Sequence, residues 1–301
     1  MEVIEQNISH LVLGTAQLGM DYGIANATGQ PVYDIAKSIV QEAWRSGICE
    51  FDTAQAYGQS EKVLGQIFKN LSIADKVRVI TKFAPDVDPL DRTALNRALD
   101  ISLNNLDVES LYCLMLHRED MLDLWEKGLE ENLMDIVDSG KVEYIGISVY
   151  SPERAIQALN TKGISKVQVP TNILDRRFEK IGAFELAGNM GKTIYIRSIF
   201  LQGLILLSKD QLPKGMQFAS KVIEELDILA NKLKISKTEL ALGYLKITKP
   251  NTKIVFGAET QLQVETNISI WGKNFYSDMF EELKHSFCSV DEKILNPTLW
   301  T

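Results

Sequence analysis

Eight short runs rich in β-branched and aromatic residues begin near residues 11, 48, 77, 111, 142, 166, 193 and 253, and helical patterns fill the intervals. Strands that alternate with helices must run parallel, and eight such units predict an α/β fold of the (β/α)8 barrel type, with the site at the C-terminal ends of the strands. A doubly wound open sheet is the alternative. No G-x-G-x-x-G follows the first strand, which counts against it. With 301 residues and no low-complexity linker, one domain spanning 1–301 is expected.

The helices carry their own punctuation. Ile35, Ile39, Ala43 and Trp44 fall at helical spacing and stop at Gly47. Leu90, Ala94, Leu95, Ala98, Leu99 and Leu103 form one apolar stripe between Pro89 and Leu106. Glu119 to Ser139 reads as one helix, Met216 to Leu233 as another, and Ser236-Lys237-Thr238-Glu239 opens the next with a capping box. The connection from Phe200 to Gly215, with Pro213, is the candidate loop over a site.

Charge and cysteine content narrow the class. Lys and Arg number 32 against 40 Asp and Glu, a net charge of −8 without a dense basic run, which argues against nucleic acid and anionic membranes as partners. Cys49, Cys113 and Cys288 are too scattered for a disulfide framework and fit a reducing, cytoplasmic setting. Met1 to His10 lacks the basic and apolar regions of a secretory signal, and the apolar span Ile194 to Leu207 is too short to cross a bilayer and contains Arg197. No metal-ligating constellation is read. Oligomeric state is not legible.

Three strands end on chemistry. Ile48-Cys49-Glu50-Phe51 leads to Asp52, with Tyr57 in the loop beyond; Val77 to Thr81 ends on Lys82; Leu111 to Leu116 ends on His117. Successive parallel strands would bring these four together. A phenol titrates near pH 10, and a neighbouring ammonium would lower that value, so Lys82 is expected to tune Tyr57 while Asp52 orients Lys82. The loop Gly14-Thr15-Ala16-Gln17-Leu18-Gly19 lacks phosphate-loop spacing and reads as turns around a pocket mouth.

Phe51-Asp52-Thr53-Ala54-x-x-Tyr57-Gly58, Lys82, Leu116-His117-Arg118 and Gly146-Ile147-Ser148 together resemble the aldo-keto reductases. Further matches, Leu13-Gly14-Thr15, Gln168-x-x-x-Asn172, Gly257-Ala258 and Asn267, extend the resemblance over nearly the whole chain. It implies a catalytic tetrad of Asp52, Tyr57, Lys82 and His117. It also implies NAD(P)(H)-dependent interconversion of a carbonyl and an alcohol, with Tyr57 protonating oxygen and His117 orienting it.

The same resemblance assigns the cofactor cleft. Gly14 and Thr15 would lie beside the cofactor, and Ser148 and Gln168 would hold its carboxamide. The seventh-strand end, Arg197, Ser198, Phe200 and Gly203, would flank the nicotinamide, while Gly257, Ala258, Glu259, Gln263 and Asn267 would receive the adenosine end. Tyr22 would line the substrate entrance beside His117; Phe83, directly after Lys82 in the sequence, is read on its own position as an apolar wall of that site.

Three departures from the family pattern matter. Ser148 is followed by Val149 where an Asn is usual, Arg197 replaces a stacking aromatic residue, and Glu259 and Gln263 stand where NADPH-dependent relatives carry arginine. The last points to NADH over NADPH. The stretches 13–26 and 197–203 look like a bacterial subgroup tied to sugar and surface-polysaccharide metabolism, with Asp21, Asn26, Arg118 and Arg176 available to a polar substrate. A regulatory, cofactor-sensing subunit on the same barrel, with little turnover, is the second class.

Overall fold

In the computed structural model, which describes residues 8–275, 281, 283 and 286–300, eight parallel strands close into a barrel in chain order. They are β1 (Leu11–Gly14), β2 (Glu50–Asp52), β3 (Arg78–Lys82), β4 (Leu111–Leu116), β5 (Val142–Ser148), β6 (Ile164–Pro170), β7 (Thr193–Arg197) and β8 (Lys253–Gly257). The ends meet where Leu11 to Gly14 register with Ile254 to Gly257. The expected α/β barrel is what these residues form.

Side chains in a strand alternate between faces, so residues two apart share the barrel interior. Val12, Ile80, Cys113, Met115, Tyr195 and Val255 form a separate apolar cluster, the barrel filling. On β2, Glu50 and Asp52 are two apart and serve opposite ends of that filling. Glu50, 2% exposed, accepts hydrogen bonds from Tyr195 Oη (2.9 Å) and Lys253 Nζ (2.7 Å), which forms a buried floor. Asp52 belongs to the other rim.

Strand β2 starts at Glu50 rather than Ile48 because Gly47 takes φ 94° and Ile48 N–H returns to the Ala43 carbonyl at 3.0 Å, closing the preceding helix Tyr33–Arg45. The single helix expected over 119–139 is in fact two elements. A 3-10 stretch, Glu119–Lys127, breaks at Gly128 (φ 112°) before the helix Leu129–Asp138. Likewise Met216 lies in a 3-10 turn, Lys214–Ala219, ahead of the helix Ser220–Leu233.

The capping box forms as read. Ser236 Oγ accepts from Glu239 N–H, and the Glu239 carboxylate accepts from Ser236 N–H. A hydrogen bond from Lys273, then the Ser236 backbone, holds the Glu239 carboxyl down at about 2. Among the described residues no helix is long and apolar enough to cross a membrane, and no cluster of three metal-ligating side chains occurs.

Candidate active site

At the upper rim Lys82, fully buried, donates to both Asp52 oxygens (2.8 and 2.9 Å) and to the Thr53 carbonyl (2.8 Å). Three acceptors satisfy its three donors. Gln168 Nε2 adds a fourth contact to the pair, 2.8 Å from Asp52 Oδ2. The ion pair is therefore hydrogen-bonded on both sides, the condition under which a buried pair is tolerated.

Tyr57 is placed over this pair by two glycines. A Cβ on Gly19 would run into the Tyr57 carbonyl oxygen, and one on Gly58 (φ 56°) into the Gly19 carbonyl. Only backbone without side chains can approach so closely, and Gln59 N–H bonds the Gly19 carbonyl at 3.1 Å to hold the contact. Lys82 Nζ then lies 5.2 Å from the Tyr57 ring centroid, beneath the ring. His117 meets the same ring edge-on, with centroids 5.9 Å apart.

The expected lowering of the phenol by Lys82 does not occur. Burial, and then the Asp52 charge, push Tyr57 above its ordinary value of 10, with Arg197 pulling the other way. At the phenol, the Asp52 carboxylate that Lys82 holds opposes the effect of the ammonium. Burial, followed by the charges of Lys82 and Arg197, pushes His117 down to about 4, so its imidazole is neutral at physiological pH. The Phe83 backbone opposes that shift.

Two cavities meet at Tyr57. One is a cleft of about 350 Å³ running between Gly14, Thr15, Gly203, Gly257, Glu259 and Asn267, with Asp52 and Arg197 at its inner end. The other is a chamber of about 210 Å³ lined by Tyr22, Tyr57, His117, Ser148, Tyr150, Arg197, Ser198, Gln202, Pro297 and Thr298. A strap from the long connection closes over them. Ser198, Leu201, Gln202 and Gly203 all take positive φ, Ile24 N–H donates to the Gln202 carbonyl (3.0 Å), and Gly203 lies against the Ala25 methyl.

Most residues named from the sequence reach one of the two cavities, with specific exceptions. Thr15 lines the cleft, but its hydroxyl donates to the Asp52 carbonyl and shares a hydrogen bond with Ser60, so it ties β1 to β2. Gln168 is fully buried with its amide nitrogen on Asp52, while its Oε1 has no hydrogen-bond partner among the described residues and remains able to accept one from a carboxamide. Phe83 is 1% exposed and packs in the core, not on the chamber wall. Ser148 lines the chamber, where its hydroxyl accepts from Arg197 Nε at 3.3 Å.

Arg197 lies with its guanidinium carbon 4.1 Å from the Tyr150 ring centroid, at the junction of cleft and chamber. Gln263 accepts the Glu259 N–H (2.7 Å), and the Glu259 carboxyl is raised by burial and by the charge of Asp21 across the mouth. Of the polar candidates, Asn26 is spent on its own loop, Arg118 is exposed and paired with Asp120, and Arg176 borders a neighbouring cavity. Tyr150, Gln202, Pro297 and Thr298 also line the chamber, and no sequence motif marks them as site residues. Pro297 and Thr298 lie 40 residues beyond β8, and no local pattern signals their return to the rim.

A family model described as "Aldo/keto reductase family" matches residues 10–286. The chain belongs to the aldo/keto reductase family. It is thus an oxidoreductase, and the family implies NAD(P)H-dependent carbonyl reduction. L-glyceraldehyde 3-phosphate reductase of Escherichia coli K12 is 26% identical over 298 residues, covering 86% of this chain and 84% of that protein. A Glycine max protein named for the same family is 30% identical over 168 residues, so the match spans 48% of that protein and 52% of this chain.

A Schizosaccharomyces pombe protein described as a candidate potassium-channel β subunit is 30% identical over 135 residues, covering 41% of this chain and 39% of that one. A Pseudomonas aeruginosa structure, solved as a candidate aldo-keto reductase, superposes with a TM-score of 0.65. It is 20% identical over 87% of this chain and 89% of that one, which speaks for the fold alone.

Proposed function

We propose that this protein reduces a small carbonyl compound with NADH, and that Tyr57 is the proton donor. The observation that carries the reading is the position of Tyr57 on the shared wall of cleft and chamber, above the Lys82–Asp52 pair and edge-on to His117. The cleft runs from Tyr57 and Arg197 past Gly14, Gly203 and Gly257 to Glu259 and Asn267, a course that suits an elongated dinucleotide. A reduced nicotinamide, when bound, supplies the hydride.

Each protein group then has a task. A phenol raised above pH 10 is fully protonated in neutral solution and can give its proton to a carbonyl oxygen acquiring negative charge. Neutral His117 carries one ring N–H, suited to a hydrogen bond to that oxygen. Asp52 and Lys82 position Tyr57 from below; Lys82 cannot also hold a free charge for the phenol.

Support for NADH comes from the cleft mouth. Glu259 and Asp21 put two carboxyls there, Gln263 is occupied, and Lys273 is engaged by Glu239 at 2.6 Å. Arg197, at the Tyr57 end, is the one cation among the described residues lining the cleft. A carboxylate about 4 Å from a 2′-phosphate costs roughly 1 to 4 kcal/mol.

The test is Tyr57→Phe. Turnover of an aldehyde panel should fall by about 10² or more while NADH affinity stays within a few-fold. Retained turnover, or lost NADH binding, would count against the role. NADH binding by the unaltered protein with no turnover of any aldehyde or sugar would favour the regulatory reading, to which the fission-yeast relative lends some weight.

A further inference from the structure

We propose that the chamber beside Tyr57 takes a carbonyl compound that also bears an anionic group, a carboxylate or phosphate, and that Arg197 binds that group. The inference rests on the reductase reading and adds the substrate's chemistry to it. Among the described residues lining the chamber, Arg197 is the one permanently charged side chain; the others offer hydroxyls, an amide, an imidazole and a proline ring. No carboxylate among the described residues pairs with it.

The contrast with other arginines is sharp. Arg92, Arg118, Arg154 and Arg177 each hold a carboxylate at 2.6 to 2.8 Å. Arg197 instead makes three long contacts, 3.3 Å to Ser148 Oγ and Ser198 Oγ and 3.4 Å to the Val149 carbonyl. Contacts at that length hold the fork without satisfying it. Stacking on Tyr150 fixes the plane of the guanidinium and consumes none of its five donors. A half-buried cation without a counter-ion is costly, and an anionic ligand group relieves that cost through charge-assisted hydrogen bonds. A chamber of about 210 Å³ lies below the ~300 to 1,000 Å³ of ordinary ligand pockets, so the molecule is small.

The experiment is steady-state kinetics of the full chain with NADH at constant ionic strength, on matched pairs: succinic semialdehyde against butanal, and glyceraldehyde 3-phosphate against glyceraldehyde. The unaltered protein should favour the anionic member of at least one pair in kcat/KM by about tenfold or more. Arg197→Met should erase most of that preference and Arg197→Lys retain part of it. Which pair shows the preference decides between carboxylate and phosphate.

A wild-type ratio near one in both pairs overturns the proposal, and needs no variant. So does an equal loss on both members in Arg197→Met, or a loss of NADH affinity in that variant, which would make Arg197 a cofactor residue. No turnover of any of the four by the unaltered protein, with NADH bound, overturns the reductase reading and this one with it.

Discussion

Lys82 Nζ is bound to both carboxylate oxygens of Asp52, at 2.8 and 2.9 Å, and lies 5.2 Å below the Tyr57 ring centroid. The ammonium serves the carboxylate first and the phenol only as a platform. Removing the lysine alone leaves a buried, uncompensated charge. Lys82→Met should therefore lose about 3 to 5 kcal/mol of stability, read by denaturant unfolding. Adding Asp52→Asn should recover part of the loss; a strictly additive double variant would contradict the pairing.

The pH profile follows from the same geometry. Reduction needs the Tyr57 phenol, whose pKa is raised by burial, so kcat/KM for reduction should stay flat up to about pH 10 and oxidation should climb as pH rises. The acid limb should lie near about 4, where His117 protonates. A limb near the ordinary histidine value would show that His117 is not held neutral.

Stability carries the same signature. Between about 6.5 and about 4 the unfolded imidazole binds a proton that folded His117 refuses, so stability falls as pH drops through that window. His117→Asn should flatten the fall when Tm is followed against pH.

Cofactor choice is tested at the cleft mouth. Paired fluorescence titrations should show tighter binding of NADH than NADPH. Glu259→Arg should narrow or reverse that order, since it replaces a repelling carboxylate with a phosphate-binding fork. Equal NADPH affinity in the unaltered protein would remove Glu259 as the discriminator.

Gly19 is a test of placement. Any side chain there meets the Tyr57 carbonyl, so Gly19→Ala must displace the loop that carries the phenol. It should cut kcat by tenfold or more, by analogy with the steep dependence of rate on small displacements, while NADH binding changes less. An unchanged kcat would mean that the phenol reaches its place by another route.

The barrel and the four strand-end residues were legible because each signal is local. Period-2 strands end on Asp52, Lys82 and His117, and a parallel barrel brings such ends together whatever else it contains. What failed was depth. Alternation puts Gln168 on the inner face but cannot say that its amide nitrogen is taken by Asp52 while Oε1 stays unpartnered. Nor could it show that Lys82 would spend its charge on a carboxylate. Gly128 does not read as a break, because apolar spacing continues on both sides of it. Pro297 and Thr298 reach the chamber only through the path of the folded chain, which no local pattern records.

The floor of the barrel sets an order on assembly. The Glu50 carboxylate is buried early in the chain, yet its closest cation, Lys253, arrives 203 residues later with the last strand. Its hydroxyl partner, Tyr195, also comes from the late half. A nascent chain that has emerged only through β3 offers that carboxylate just the exposed Arg78, 3.8 Å away, and its close partners are complete only when β7 and β8 close the ring. The floor under the site is thus completed by the strands that are synthesised last.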